Sequence, residues 1–451
     1  MAEQVDVVVV GLGVGGEETS GRLAEAGLNV VGVEPRLVGG ECPYYGCIPS
    51  KMMIRAADVL AEARRVADLA GESTVTPDWS PVHVRIRDEA TADWDDQVAV
   101  DRLVDAGVTF VRGAARLTGP RTVEVDGTRY TASRGVLLNT GTDPSAPPID
   151  GLADTPYWTN RDAVQLADLP ASLIVIGGGA IGAEMAQAFS RFGVRVTVLE
   201  VFDRLLGPEE PESSALVAEV FGREGIQVLA GATISSVAYA EGRFTVEVDG
   251  QTLHADKLLV AAGRRPVLSD LGLDSVGLDP TARSIETDER LRATGTEGLW
   301  AIGDITGKGA FTHMSMYQAA VAVRDILGQD GPAAAYHAVP HVTFTDPEVG
   351  SVGMTEKQAR DAGLAVRVGT TDLASSTRGW IARGEGLVKL VEDADRGVLV
   401  GATAVGPSGG EVLSMLVTAV HAEIPTDTLR SMIYAYPTFH RAVEDALSRL
   451  A

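Results

Sequence analysis

The strongest constraint on this chain is a unit that occurs twice. Val5-Asp6-Val7-Val8-Val9-Val10 leads into Gly11-Leu12-Gly13-Val14-Gly15-Gly16, then a helical stretch to Gly27, a second apolar run Leu28–Val33, and Glu34. Ser172–Ile176 leads into Gly177-Gly178-Gly179-Ala180-Ile181-Gly182, with Gly193 and Glu200 following in the same places. Gly11, Gly13, Gly16, Gly27 and Glu34 all recur at one offset of 166 residues. A short unbroken apolar run reads as a strand covered on both faces, as in a parallel sheet. Glycines after it let the backbone turn and approach a pyrophosphate at a helix N-terminus, and the acid lies where a ribose hydroxyl pair would sit. A second echo supports the repeat. Thr122-Val123-Glu124-Val125-Asp126-Gly127 matches Thr245-Val246-Glu247-Val248-Asp249-Gly250, each a hairpin with an Asp-Gly turn. Each hairpin is followed by a strand that ends at a glycine, Gly141 (after Thr140) and Gly263. Two copies of one dinucleotide-binding domain, hence two dinucleotides, is the economical reading.

The chain has two cysteines, Cys42 and Cys47, and both follow the second strand of the first copy. Pro49 fits the first turn of a helix, and Lys51–Ala70 reads as helical. Cys47 would then sit at a helix N-terminus, which favours its thiolate, with Cys42 in the loop before it. A zinc site would need two further ligands at metal spacing, and there is no third cysteine. On spacing and helix context the pair reads as a redox-active centre with no metal, two buried thiols being the other reading.

Gly40-x-Cys42-x-x-x-x-Cys47-Ile48-Pro49-Ser50-Lys51 resembles the active-site motif of the FAD-dependent pyridine nucleotide–disulfide oxidoreductases, the family of dihydrolipoamide dehydrogenase, glutathione reductase and mercuric reductase. The resemblance covers the whole chain. It implies an α/β fold of two Rossmann-like, three-layer ββα dinucleotide-binding domains plus a C-terminal α+β dimerisation domain. The expected boundaries are 1–150 for the FAD-binding domain, 151–267 for the NAD-binding domain, 268–336 for a return segment completing the first, and 337–451 for dimerisation. FAD is implied in the first glycine site. Leu299–Asp304 looks like the family's second FAD motif, with Gly303 and Asp304 toward the flavin's ribityl chain. The second site, with Gly177, Gly179, Gly182 and Glu200, would take NAD(H), because a carboxylate at the ribose repels a 2′-phosphate; Arg204 is the nearest base that keeps NADPH open. By the same carry-over, Cys47 meets the flavin, Cys42 exchanges with substrate, and Lys51 lies by the flavin, paired to Glu184.

The tail departs from the family. Disulfide-reducing members end in His-x-His-Pro-Thr-x-x-Glu, donated across a dimer. This chain has Tyr434-Ala435-Tyr436-Pro437-Thr438-Phe439-His440-Arg441, so Tyr436 replaces the acid/base histidine and Arg441 replaces the glutamate. Tyrosine, with a reference pKa near ~10, donates a proton more readily than it accepts one at neutral pH. Tyr436 and His440, one helical turn apart if the segment is helical, would together replace the dyad, or His440 packs at the interface. The expected activity is an NAD(P)H:disulfide oxidoreductase that passes electrons through FAD and Cys42–Cys47 to a small-molecule disulfide or other thiol-reactive acceptor. Dihydrolipoamide dehydrogenase proper, a mercuric-reductase-like enzyme, an NADH:quinone reductase with an idle cysteine pair, and a non-catalytic flavoprotein subunit remain as alternatives.

Beyond His337, Val342–Gly353 resembles the first strand of the family's dimerisation domain. Leu387–Val391 and Val398–Ala402 follow as strands, and Gly410–Glu423 and Thr426–Met432 as helices. His313, His337 and His341 read as structural histidines. A net charge of −24 argues against nucleic acid and anionic membrane as partners. The longest apolar stretch, Ser172–Phe189, is glycine-rich and carries Glu184. With no basic leader before Val5, a soluble cytoplasmic protein is expected, and the family resemblance implies a homodimer.

Overall fold

The computed structural model describes residues 2–451. They form two compact units, each assembled from separated stretches: residues up to 49 with 83–145 and 264–336, and residues 50–82 with 146–263 and 337–451.

In the first unit the opening strand, Ala2–Val10, lies mid-sheet, parallel to Val30–Glu34 on one side and to Thr128–Leu138 on the other. Its alternate residues feed two cores. Val8 and Val10 pack with Leu138 and Leu273, and Val7 and Val9 pack with Leu23, Leu103 and Val323. A strand sandwiched this way has no solvent face, which is why its sequence does not alternate. Each valine so buried contributes about 1.5–3 kcal/mol. Thr128–Leu138 is one continuous strand with two neighbours on its far side: the hairpin strand Thr122–Val125 along its first half and Leu299–Ala301 along its second. Gly135, at φ 153°, makes this possible, because a Cβ there would collide with the Gly298 carbonyl oxygen.

The second unit holds the second copy and an antiparallel sheet. Gln227–Ala230, Arg195–Glu200, Ser172–Ile176 and Lys257–Val260 form a four-stranded parallel sheet. Here the hairpin strand and the parallel strand are separate. Gln251–Ala255 belongs to its own three-stranded sheet, and the chain breaks at Asp256, whose Oδ2 accepts the Ser172 N–H at 3.0 Å. The antiparallel sheet runs Pro340–Thr343, Glu348–Gly353, Val398–Gly406, Leu387–Asp393, Val366–Asp372, with the helices Gly409–His421 and Ala442–Ser448 packed over it. Val342–Gly353 is therefore a hairpin of two strands, not one: Asp346-Pro347 cannot continue the ladder, and Thr345 Oγ1 closes the turn on the Pro347 carbonyl at 2.8 Å.

Arg191, 3% exposed, ties three parts of this unit together. It donates to Glu224 through Nε (3.0 Å) and Nη2 (2.6 Å), to Asp346 (2.8 Å), and to Asp58 on the helix Cys47–Arg64 (2.6 Å). Three carboxylates round one guanidinium do not ionise equally. Burial opposes it, but Arg191 and Arg65 hold the Asp346 carboxyl below its usual range. Burial, with the Asp346 charge nearby, pushes the Asp58 carboxyl up to about 6 despite Arg191. Between the unfolded value near 4 and about 6 the folded chain holds the extra proton, so this group makes stability fall as pH rises through that window. We expect urea midpoints of Asp58→Asn to decline less than those of the parent between about pH 4 and 6. Parallel curves for the two proteins would contradict this account.

Candidate active site

The two glycine turns are built alike down to single hydrogen bonds. Gly11 N donates to the Val33 carbonyl at 2.9 Å and Gly177 N to that of Leu199 at 2.8 Å. Glu34 accepts from Leu12 N (2.8 Å) and Arg36 N (2.9 Å), and Glu200 accepts from Gly178 N (2.5 Å) and Phe202 N (2.8 Å). Each acid is buried and braces its loop with both oxygens, while lone pairs remain for a further donor. Burial pushes the Glu34 carboxyl up, against those two N–H donors. A Cβ on Gly11 or Gly177 would lie 2.5 Å from the carbonyl oxygen of Asn139 or Ala261. One on Gly16 or Gly182 would overlap the carbonyl oxygen of Gly11 or Gly177. The helices Val14–Glu25 and Ala180–Arg191 thus start directly on their loops, with Gly13 and Gly179 as the N-caps, and no side chain caps either end. Free N–H groups at a helix start, an approach open only to glycine and a buried acid at the strand end fit the diphosphate and ribose of a dinucleotide.

Around the first turn, Asp304 Oδ2 accepts from Thr142 Oγ1 at 2.7 Å, and that hydroxyl accepts from Arg264 Nε at 2.8 Å. Gly303 N donates to Gln318 Oε1 at 2.6 Å. Thr140 Oγ1 donates to the Val267 carbonyl at 2.9 Å, and Gly141 turns the chain at φ 66°. Gly263, at φ 121°, does the same at the matching exit of the second copy.

Cys47 is the first residue of the helix Cys47–Arg64, and it is exposed. Cys42 is half-buried and lies within a short helical turn, Glu41–Tyr44, rather than in an open loop. Gly40, at φ 68°, starts that turn, and the Glu41 carbonyl closes it by accepting from Tyr45 N and Gly46 N. Both cysteines are thiols here. Their mutual hydrogen bond, then burial, push the Cys42 thiol up, and Thr312 works against that shift. Cys47 Sγ also lies 3.3 Å from Thr312 Oγ1, at the start of the helix Thr312–Ile326. In the second unit, Lys51 Nζ donates to Glu184 Oε2 at 2.7 Å and lies over the Phe344 ring at 4.7 Å, while Phe344 N holds the other oxygen of Glu184 at 2.8 Å. Glu184 is buried, so this pair is fixed on three sides.

The tail corrects one expectation. Tyr436 and His440 do not share a helical turn. Pro437 keeps residue 436 out of the helical region, and only Phe439–Arg441 winds, as a single 3-10 turn. Tyr436 is 66% exposed and its hydroxyl reaches Thr377 Oγ1 at 3.3 Å, whereas the His440 ring lies 6.0 Å from that of Tyr434. His341 hydrogen-bonds Glu209 at 2.7 Å, His337 stacks on His421, and His313 stacks on Phe311. Among the described residues no group of three or more histidines, cysteines or acids is arranged to hold a metal, and no helix is long and apolar enough to cross a membrane.

Sequence reasoning missed Thr142, Arg264 and Trp94. The first two lie beside the motif glycines Gly141 and Gly263, and that position is the available signal. Trp94 had none. It ends a run of three residues, Ala92, Asp93 and Trp94, all left-handed at φ 48°, 58° and 58°, a conformation costing roughly 1–2 kcal/mol per residue. The run brings the indole N–H to the Tyr44 carbonyl, between the two cysteines, at 3.1 Å.

Comparison with known proteins agrees with this geometry. Residues 5–326 match the pyridine nucleotide-disulphide oxidoreductase family, and residues 339–447 match its dimerisation domain. The chain is 34% identical to a dihydrolipoyl dehydrogenase of Chlorobaculum tepidum over 457 residues, covering 99% of this chain and 97% of that one. It is 32% identical to a mercuric reductase of Streptomyces lividans over 450 residues, covering 97% and 94%. Its fold matches that of the HOCl-induced flavoprotein disulfide reductase RclA from Escherichia coli with a TM-score of 0.86 at 26% identity, over 98% of this chain and 99% of that one.

Two glycines of one helix separate close approach from mere flexibility. Gly16→Ala forces a methyl onto the Gly11 carbonyl and is expected to destabilise the chain by about 1–3 kcal/mol and to purify with little bound FAD. Gly21→Ala meets nothing within 4 Å and is expected to stabilise by about 0.5–1 kcal/mol with FAD retained. Flavin absorbance per chain and thermal midpoints check both, and equal behaviour of the two variants would refute the cradle.

Proposed function

The chain belongs to the pyridine nucleotide–disulphide oxidoreductase family, enzymes that use FAD and NAD(P)H, and from that premise we propose an NADH-dependent reductase of a disulfide or other thiol-reactive acceptor, acting through Cys42 and Cys47. The observation that carries this reading is Cys47 at the head of the helix Cys47–Arg64, its sulfur 3.3 Å from Thr312 Oγ1, with Cys42 in the helical turn just before it.

Gly11, Gly13, Gly16, Glu34, Thr140, Gly141, Gly303 and Asp304 would hold FAD, and Gly177, Gly179, Gly182, Glu200 and Gly263 the nicotinamide nucleotide. FAD, when bound, supplies two-electron exchange between the reduced nicotinamide and the sulfur pair. Residues 1–150 with 268–336 are read as the FAD domain, which the pairing of Leu299–Ala301 with Thr128–Leu138 supports. Residues 151–267 are read as the nicotinamide domain and 337–451 as the dimerisation domain, whose family match supports a homodimer.

In the acceptor half-reaction the Cys42 sulfur attacks the acceptor disulfide as its proton passes to the thiolate that leaves. Cys47 sulfur then attacks the mixed disulfide, the second thiolate leaves, and the Cys42–Cys47 bond closes. The two cysteine protons end on the two product thiols, so the exchange balances. Tyr436 Oη is assigned as the donor to a leaving sulfur, relayed by solvent; its hydroxyl contact with Thr377 supports an oriented phenol. His440 is assigned to packing against Tyr434. Lys51 is held in place by Glu184 and by the Phe344 ring.

Anaerobic NADH titration should deliver two electron pairs per FAD in the parent protein and one in Cys42→Ser. One pair in both would favour the flavin-only quinone reductase. NADH should exceed NADPH at least tenfold in kcat/KM, because Glu200 opposes a 2′-phosphate. Tyr436→Phe should lower disulfide turnover by about 10–100-fold while leaving flavin reduction by NADH unchanged in stopped flow.

A further inference from the structure

We propose that the face formed by the helix Thr377–Ala382 and the segment Tyr436–Arg441 recognises the acceptor, and that this acceptor is anionic, carrying carboxylates on an aromatic or apolar body. The proposal deepens the reductase reading above and rests on it. The face belongs to the second unit. Tyr436, its exposed phenol, is linked to the helix through Thr377 Oγ1 at 3.3 Å. Two guanidinium groups lie on the rings of this segment: Arg441 over Tyr436 at 5.5 Å, and Arg378 over Phe439 at 5.4 Å. A third, Arg383, follows the helix in the left-handed conformation at φ 48°, beside Gly384, which packs against Phe439. Trp380 stands on the same short helix, 74% exposed.

The charge balance of this face is unlike that of the chain. With 62 acids against 38 bases, the protein repels anions over most of its surface. Arg378 and Arg383 are exposed, and among the described residues neither makes an ion pair. Arg441 pairs with Glu444 at 2.9 Å, and the nearby Glu385 is held by Arg223 at 2.5 Å. A guanidinium lying over a ring still presents N–H donors to a carboxylate, and Arg378 and Arg383 are exposed. Arg441 also stands where the family's motif carries a glutamate, so the sign of charge beside Tyr436 is reversed in this chain. A neutral or cationic acceptor gains nothing from that reversal, and an anionic one gains attraction and orientation together. Exposed Trp380 and the Tyr436 ring supply the apolar contact for its body.

The test uses the FAD-loaded enzyme with NADH and three disulfides: 5,5′-dithiobis(2-nitrobenzoate), dianionic; 4,4′-dithiodipyridine, uncharged; and cystamine, cationic. We expect kcat/KM to fall in that order, with the dianion at least about tenfold above the uncharged compound and its advantage shrinking as salt is raised. Arg378→Gln/Arg383→Gln and Arg441→Gln should each lower the ratio of dianionic to uncharged kcat/KM by roughly tenfold, mainly through KM. Arg243→Gln, an exposed arginine elsewhere, should leave the ratio unchanged. A ratio of two acceptors measured in one preparation does not depend on how much of a variant folds. No preference for the dianion, or variants that lose activity equally on all three, overturns the proposal. If no disulfide is turned over, the reductase reading fails by itself. The arginine face is then decided by 1,2-naphthoquinone-4-sulfonate against menadione, where equal rates in parent and variants would reject it.

Discussion

The structure depends on two places where backbone lies on backbone. At Gly16 and again at Gly182 a helix begins so close to its loop that a single methyl group has no room. That approach sets the direction of the first helical N–H groups and hence the position of any phosphate they bind. It also fixes how the strand, the loop and the acid at the next strand end meet. No side chain can be added there without moving a carbonyl group, so the rest of each copy is arranged around the gap.

The sulfur pair obeys a different constraint. The neighbouring Cys47 sulfur, then burial, push the Cys42 thiol up. The surroundings make this asymmetric. Cys47 occupies a helix start facing Thr312, while Cys42 is half-buried in its own helical turn. The turn is held by the Glu41 carbonyl within and by the Trp94 indole on Tyr44.

Much of this was legible in the residues. The repeat predicts the paired turns, and the match extends to hydrogen bonds at the same offset, because the same landmarks impose the same backbone. The Asp-Gly hairpins appear with Asp126 and Asp249 left-handed, as such turns require. What was not legible depends on distant partners. Nothing local says that Thr128–Leu138 runs unbroken while its counterpart stops at Asp256; Gly135 meeting Gly298 and Asp256 meeting Ser172 decide it. The four-residue spacing of Tyr436 and His440 does not make a helical turn, because Pro437 intervenes and only Phe439–Arg441 winds. The arginine face was invisible because Arg378 and Arg441 lie far apart in the chain and meet only through Phe439 and Tyr436.

The doubled use of Glu34 and Glu200 bears on any attempt to re-engineer nucleotide choice. The usual approach exchanges the acid at the end of the second strand for a neutral or basic residue. In this chain that exchange also removes the only described acceptor for two amides, Gly178 N and Phe202 N in the second copy. A variant library built on position 200 alone would therefore confound recognition with loop disorder. Sampling it together with position 202, and leaving Gly178 intact because a Cβ there would meet Leu205 Cδ2 at 2.5 Å, would keep the two effects apart.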